Sequence, residues 1–516
     1  MESVDEQPAT TASRIAPFAA PLSLLLPGLG QAALGRRRRG FMLAIPAMAI
    51  AVAAVALGVS VADDPTAALD LVPGPEVLPP LLVLGAGLLA WHLAAIIDAE
   101  RLARKARPLR GWRRVPAALV LGALLVVAVG VHGTIGYLEV QAGEAAGSIF
   151  GPGGDEGGGA WAIPEPSFEP EPTEEPTEEP TPTRPTTAPS MPSPHASGST
   201  AAATVAPTPT PAPTATPAPT PTPKPVPAWA KDGRLNLLLI GSDAGPDRWS
   251  LRTDTIIVLS VDVKTGRAAL FGIPRNLVGV PLPPESAAAV PNGRFPGLLN
   301  ALYVYAMGHP HAFPGGDARG MRAVSGAVQE LLGVRLDGMV VINLAGFVSL
   351  VDELGGLWID IPAPLADDKY PLEDGSKLIK VSFDAGCQRL AGRMALAYAR
   401  SRHQDSDYGR MRRQQTVLLA LRRQVDPVAL VPKAPALLRI ARDNLWTTLR
   451  RQDLRDLAKL AARVDVRRVA RVLFTPSRYP AHLTDDEIAR IQHVTRTIFE
   501  GRPPAPDRSF AAGHCP

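Results

Sequence analysis

The chain has 516 residues, with 53 Lys+Arg against 49 Asp+Glu, a formal net charge of +4 and a sequence pI near 9.1. A charge this small and this dispersed leaves no electrostatic footprint for nucleic acid. Two cysteines, Cys387 and Cys515, exclude a disulfide scaffold and a Cys-rich zinc centre.

The first block is apolar. Residues 41–62, 79–97 and 116–138 are each long enough to cross a bilayer at about 20 residues per crossing. They exclude a fully soluble cytoplasmic protein. Residues 15–35 are also apolar but are interrupted by Pro27, Gly28 and Gly30, which predicts an interfacial or re-entrant segment, with a full span as the alternative. The arginines 36–39 follow that stretch, the reverse of a signal peptide. Loop 63–78 carries Asp63, Asp64, Asp70 and Glu76 and no base, whereas loop 98–115 carries seven Lys and Arg residues. Basic loops stay cytoplasmic, so three spans place 63–78 and everything after 138 outside. The membrane region is therefore residues 1–140.

Residues 141–230 change character. The run 163–227 repeats Pro with Thr, Ala and Glu. Each Pro removes a backbone donor, and the composition cannot bury a core, so the segment predicts a disordered, polyproline-like linker. At ~3.1 Å per residue it reaches at most on the order of 200 Å.

Strand signals begin at Arg234–Ile240 and continue at Thr255–Val263 and Arg267–Ile273. Lys264-Thr265-Gly266 predicts a tight turn and an antiparallel pairing of the second and third strands. Helical periodicity marks 318–333, Leu344–Leu354, Arg389–Ala399 and Asp407–Val425, with further strands at Met339–Asn343 and Leu357–Ile361. The mixture predicts an α/β or α+β sandwich. Residues 426–516 read as a helical extension of the same head.

The polar residues then converge. Asp243 ends the first strand, Arg252 and Asp254 open the second and Arg275 ends the third. In antiparallel neighbours these positions share one edge. Two carboxylates there suit Mg²⁺ or Mn²⁺, which take oxygen ligands and borrow others from a phosphate. The arginines suit phosphate oxygens; the alternative is a surface salt-bridge cluster. Arg400 and Arg402 precede a helix on which Asp407, Arg410 and Gln414 share a face, with Arg413 nearby.

The ordered segments NLLLIGSD, RTDT, IPRN, LLNALY, LVDELGG and ALAYARSRHQDSDYGRMRRQQ resemble the LytR-CpsA-Psr family, also called cell envelope-related transcriptional attenuators, over about 236–425. The resemblance implies an α/β head, a mixed β-sheet sandwiched between helices, with a catalytic domain at 231–425. It implies a phosphotransferase that moves a glycopolymer from a polyprenyl-pyrophosphate carrier to peptidoglycan. By motif, Asp243 and Asp254 would hold the divalent metal. Arg252, Arg275, Arg400 and Arg402 would grip phosphate oxygens, and Asp407, Arg410 and Gln414 would complete the pyrophosphate site. An apolar tunnel would hold the prenyl chain, with Val340, Ile342, Leu344, Phe347 and Leu350 as wall residues; the alternative for these is plain core. Two positions depart from the family pattern: Asn276 replaces a carboxylate, and Leu298 stands where a Lys is usual, with Arg294 a substitute for the lost cation.

Phosphoryl transfer needs positioning and charge stabilisation more than covalent help, and Asp254 or Asp407 could assist deprotonation of the acceptor. A second reading of the same residues is a non-catalytic polyprenyl-phosphate receptor or regulator of envelope synthesis. A DNA-binding regulator is disfavoured, since topology puts the head outside. In an oxidising compartment, Cys387 and Cys515 are expected to pair and pin the C-terminal tail.

Overall fold

A computed structural model describes residues 15–71, 76–108, 114–150 and 228–515, apart from 244–251, 373–376, 403, 426–429, 431–432, 476–478 and 511–513. The Pro/Thr-rich run lies outside the described residues.

In chain order the strands are β1 (Arg234–Ser242), β2 (Thr253–Asp262), β3 (Ala268–Gly272), β4 (Val278–Pro281), β5 (Arg294–Leu298) and β6 (Gly338–Asn343). They continue with β7 (Leu357–Ile361), β8 (Leu365–Pro371), β9 (Leu378–Phe383), β10 (Gly386–Leu390), β11 (Leu445–Thr447) and β12 (Ala470–Leu473). Six of them form the main sheet, in the order β11-β6-β1-β2-β3-β12. β1, β2 and β3 make the expected antiparallel meander. The turn between β2 and β3 is closed by Asp262, whose carboxylate accepts from Thr265 N at 2.7 Å, and by Gly266 at φ 73°. β6 runs parallel to β1 and β12 parallel to β3, while β11 is antiparallel to β6, so the sheet is mixed.

Strand alternation divides the core into two layers. Leu238, Ile240, Met339 and Val341 pack on one face against the helix Arg319–Leu332. Leu235, Ile257 and Leu270 turn to the other face, against the helices Leu344–Glu353, Gly392–Arg400 and Asp407–Gln424. The head is therefore a sheet between two helical layers.

Two expectations need correction. The helix expected over Arg389–Ala399 begins at Gly392, because Arg389 and Leu390 belong to β10 and pair with Trp358 and Leu357 of β7. Tertiary pairing overrides a local helical period there. The C-terminal extension is not purely helical either. It supplies β11 and β12, the two edge strands of the main sheet, and these are too short to show a period of two in sequence. The two cysteines are bonded, with Cα atoms 5.7 Å apart, which ties the tail to β10.

Among the described residues, three helices are long and apolar enough to cross a membrane, Arg37–Asp63, Leu78–Ala106 and Arg114–Phe150. Each contains the run read from sequence, and the third extends twelve residues beyond it, to Phe150. The stretch 15–35 forms two short helices, Ala19–Leu25 and Leu29–Ala33, broken where Gly28 adopts φ 96°. A Cβ on Gly28 would lie 2.0 Å from the Gly40 carbonyl oxygen, so the glycine permits a close crossing. Gln31, fully buried, donates to Ala95 O at 2.8 Å and accepts from the Ser23 hydroxyl at 2.9 Å. A buried amide satisfied on both sides fixes this crossing.

Candidate active site

The antiparallel meander places the end of β1, the start of β2 and the end of β3 on one edge, as the sequence predicted. At that edge Arg275 bridges two carboxylates, Asp254 at 2.7 Å and Asp407 at 3.5 Å. Arg410 follows on the next helix, pairing with Asp407 at 3.1 Å and donating to Asp254 O at 3.3 Å. Its side chain is 5% exposed. Burial lowers the Arg410 pKa, Asp407 opposes that and Arg275 adds to it; a guanidinium stays charged under such a shift. Burial also pushes the Asp254 carboxyl up, but Arg275 and Arg410 outweigh it and hold the group below its ordinary 3.8.

The helix Asp407–Gln424 starts here because Ser406 caps it, its hydroxyl accepting from Gly409 N at 3.4 Å. Arg413, on another face, donates to Tyr398 O and pairs with Asp405 at 2.6 Å, so it braces the preceding loop. Arg400 lies over the Tyr370 ring, 5.6 Å from its centroid. Arg402 and Arg252 have exposed side chains; their backbone N–H groups donate to Asp367 at 3.1 Å and to Asp243 at 2.7 Å.

A cavity of about 290 Å³ joins this edge to the interior. Asp243, Asp254, Arg400, Arg410 and Gln414 line its polar end. Val340, Ile342, Leu344, Phe347 and Leu350 line the apolar end, as do Val417, Leu418 and Leu421 from the helix Asp407–Gln424. Strand alternation explains the space. Met339 and Val341 are fully packed on one face of β6, whereas Val340 and Ile342, on the opposite face, are only half-buried. A second apolar cavity of about 280 Å³ shares Ile342, Leu350, Leu421 and Leu445 with the first and reaches Leu437 and Ile440.

Thus five of the polar positions read from sequence line the cavity, Arg275 and Asp407 stand one ion pair behind it, and Arg252 and Arg402 are exposed beside it. Asn300, 3.4 Å from Asp254, was missed although it lies in LLNALY; Tyr370 and Asp367 sit on β8 with no sequence signal. Arg294 does not replace the missing lysine. It pairs with Asp485 and donates to Leu483 O at 2.8 Å. Leu298 is 47% exposed. Asn276 Oδ1 is buried without a hydrogen bond among the described residues.

The donor set suits a hard divalent cation. Asp243 and Asp254 both present oxygen to the cavity, and the nearby Ser242 and Thr253 hydroxyls are buried without a hydrogen bond among the described residues.

Residues 202–479, more than half of the chain, match the LytR_cpsA_psr family model, and the match takes in every side chain of the cluster. A curated relative from Halalkalibacterium halodurans, polyisoprenyl-teichoic acid–peptidoglycan teichoic acid transferase TagU, is 29% identical over 42% of this chain and 60% of its own length. Biofilm regulatory protein A of Streptococcus mutans is 26% identical over 43% of this chain and 51% of its own. The chain thus spans between half and three-fifths of these relatives. The crystal structure of B. subtilis TagV matches 52% of this chain and 98% of its own at 22% identity, with a TM-score of 0.39. With the ordered motifs and the match of 202–479 in agreement, the chain belongs to the LytR_cpsA_psr family.

Proposed function

We propose that this protein is a membrane-anchored, extracytoplasmic phosphotransferase that moves a glycopolymer from a polyprenyl-pyrophosphate carrier to peptidoglycan. The observation that carries the reading is the single cavity with arginines and carboxylates at one end and aliphatic walls at the other. A polyprenyl pyrophosphate has the same division, two charged phosphates on a hydrocarbon tail. The transferase name of the Halalkalibacterium relative supports the same class of chemistry. The three apolar helices and the charge bias of their loops support a multi-pass anchor with the head outside.

In this reading the acceptor hydroxyl oxygen forms a bond to the phosphorus that carries the glycopolymer. The bond from that phosphorus to the bridging oxygen breaks, and polyprenyl monophosphate leaves. Arg400 and Arg410 would hold the pyrophosphate oxygens, with Arg252 and Arg402 at the exposed side. Arg275 would keep Asp254 ionised and would orient Asp254 and Asp407. Gln414 would donate to a phosphate oxygen. Asp254 or Asp407 would take the acceptor proton; Asp407 Oδ1 is buried without a hydrogen bond among the described residues. Asp243 and Asp254 would hold Mg²⁺ or Mn²⁺, which when bound supplies further charge neutralisation. The apolar walls Val340, Ile342, Leu344, Phe347 and Leu350 would take the first units of the prenyl chain.

The test is release of polyprenyl monophosphate by the full-length protein in nanodiscs from a pyrophosphate-linked glycan donor, with and without Mg²⁺. Loss of release in Arg410→Ala and Asp254→Ala is expected. A second reading, a receptor that binds the lipid phosphate without turnover, is favoured by Asn276 and Leu298, where a carboxylate and a cation of the family pattern are absent. Tight donor binding with no release would decide for it.

A further inference from the structure

The membrane region meets the head where the helix Ala434–Asn444 packs on the third apolar helix, and through a set of charges beside it. Arg455, on the head helix Leu454–Arg463, pairs with Asp64 at 2.7 Å and with Asp70 at 2.6 Å. Lys459, one turn on, meets Asp64 at 3.0 Å. Arg451 reaches Glu76 at 3.4 Å, and Arg442 reaches Glu144 at 3.4 Å. Arg442 O also accepts from the Ser148 hydroxyl at 3.2 Å. Every acid in these pairs belongs to loop 63–78 or to the last turns of the third apolar helix. Every base lies between Arg442 and Lys459.

We propose that the membrane region is a docking cradle for the head, in which the acids Asp64, Asp70, Glu76 and Glu144 clamp the basic face formed by Arg442, Arg451, Arg455 and Lys459.

Two independent facts agree. Loop 63–78 has four acids and no base, and the loops on the other side, 36–39 and 98–115, are rich in arginine. The bias of charges that orients the helices therefore puts the acidic loop on the same side as the head. The second fact concerns the tether. By its composition the linker reaches far more than the span of the contact, so it does not by itself impose proximity. It does keep the head at high effective concentration, so exposed pairs that would be weak between separate molecules suffice to hold it. The Asp64 carboxyl responds to this: hydrogen bonds from Thr66, Arg455 and Lys459 hold it well below the usual carboxylate range.

Docking also sets the direction of the cavity. The helix Ala434–Asn444 carries Leu437 and Ile440 into the second apolar cavity and carries Arg442 onto the third apolar helix. The apolar path from Arg410 thus ends at the element that rests on the membrane region. If the cavity holds a prenyl chain, which rests on the function proposed above, the cradle sets its far end beside Glu144 and Ser148 of the third apolar helix, close to the membrane region.

A zero-length carbodiimide cross-link tests the docking alone. Lys459 Nζ and Asp64 are within 3.0 Å, so full-length protein at one copy per nanodisc is expected to yield a Lys459–Asp64 amide, identified by mass spectrometry of the digest. Arg455→Glu removes two pairs without altering the linked residues, and at a few-fold per exposed pair the yield is expected to fall roughly three- to thirtyfold. Combining it with Asp70→Lys is expected to restore part of the yield. Links from Lys459 within its own head act as an internal control for folding and reagent. No Lys459–Asp64 link, or a yield indifferent to Arg455→Glu and to 0.5 M salt (about a 4 Å screening length), would overturn the cradle. Donor release is a separate readout, so failure of the clamp leaves the transferase reading standing, and the reverse.

Discussion

The apolar end of the cavity sets a limit on how much tail the head can recognise. An engineered apolar cavity of about 150 Å³ holds benzene, so about 290 Å³ has room for about a dozen heavy atoms; with the pyrophosphate at the polar end, about one five-carbon isoprenoid unit of tail remains. The adjoining space of about 280 Å³ adds about two more. Burying five carbons is worth about 4 kcal/mol gross at ~0.8 kcal/mol per methylene. Ligands of this size realise nearer 0.3 kcal/mol per atom once ordering is included, so about 1.5 kcal/mol, or roughly tenfold, per unit. The assay is competition: prenyl pyrophosphates of two, three, four and seven units inhibiting donor turnover by the full-length protein in nanodiscs. Inhibition is expected to tighten roughly tenfold per unit up to about three units and to level off beyond. Leu418→Gln puts an amide into the apolar wall and is expected to flatten the slope while leaving inhibition by inorganic pyrophosphate unchanged. Inhibition independent of tail length, or inorganic pyrophosphate matching the four-unit compound, would refute the assignment of this cavity to the tail.

Three further outcomes follow from packing. Gly409→Ala would set a Cβ 1.9 Å from an Asp405 carboxylate oxygen, so Asp405 must leave Arg413; a cost of about 1–3 kcal/mol is expected by chemical denaturation, with reduced donor turnover. Cys515→Ser opens a loop of 128 residues and is expected to cost up to about 5 kcal/mol in the chain-entropy treatment, read as a lower unfolding midpoint that matches reduced wild type. Tyr303 is buried with no partner for its hydroxyl among the described residues, and burial pushes that group up to about 12 from 10.0. Its folded value lies above its unfolded one, so stability is full below pH 10 and is lost as pH rises from 10 toward 12. Tyr303→Phe is expected to remove up to about 3 kcal/mol of that alkaline loss and to be neutral or stabilising at pH 7. A variant that denatures in alkali along the wild-type curve would count against it.

Much of the head was legible because its central strands are long and bounded by chemistry. β1 and β2 carry continuous aliphatic runs, and the turn after β2 carries Asp262 and Gly266 at the positions a tight turn requires. Knowing only that neighbours are antiparallel was enough to bring Asp243, Arg252, Asp254 and Arg275 to one edge. Spacing of three and four did the same for Asp407, Arg410 and Gln414. What sequence could not supply were the edges and the supports. β11 and β12 have three and four residues and no visible period. Asp367 and Tyr370 reach Arg402 and Arg400 only because β8 packs there. The tunnel walls could equally have been core; the difference lies in the half-burial of Val340 and Ile342 beside the full burial of Met339 and Val341.

The two departures from the family pattern bear on turnover in opposite senses of charge. Leu298 in place of a lysine removes one positive charge, and Asn276 in place of a carboxylate removes one negative charge. The net charge of the site is therefore unchanged by the pair. Before any cation binds, the five arginines Arg252, Arg275, Arg400, Arg402 and Arg410 against Asp243, Asp254 and Asp407 leave two positive charges, which equals the two negative charges of a pyrophosphate diester, and a divalent cation at Asp243 and Asp254 would add two more. Stabilisation of charge is a large part of catalysis in phosphoryl transfer, so that balance bears on turnover as well as on binding. A receptor would need to bind the same two charges but would gain nothing from carboxylates oriented by Arg275 at the edge of the cavity. Restoring either position alone, as Leu298→Lys or Asn276→Asp, is expected to tilt the balance by one charge. The first should tighten donor binding and the second weaken it, while the double change returns affinity toward the wild-type value. If both single changes move affinity in the same direction, charge balance is not what governs this site.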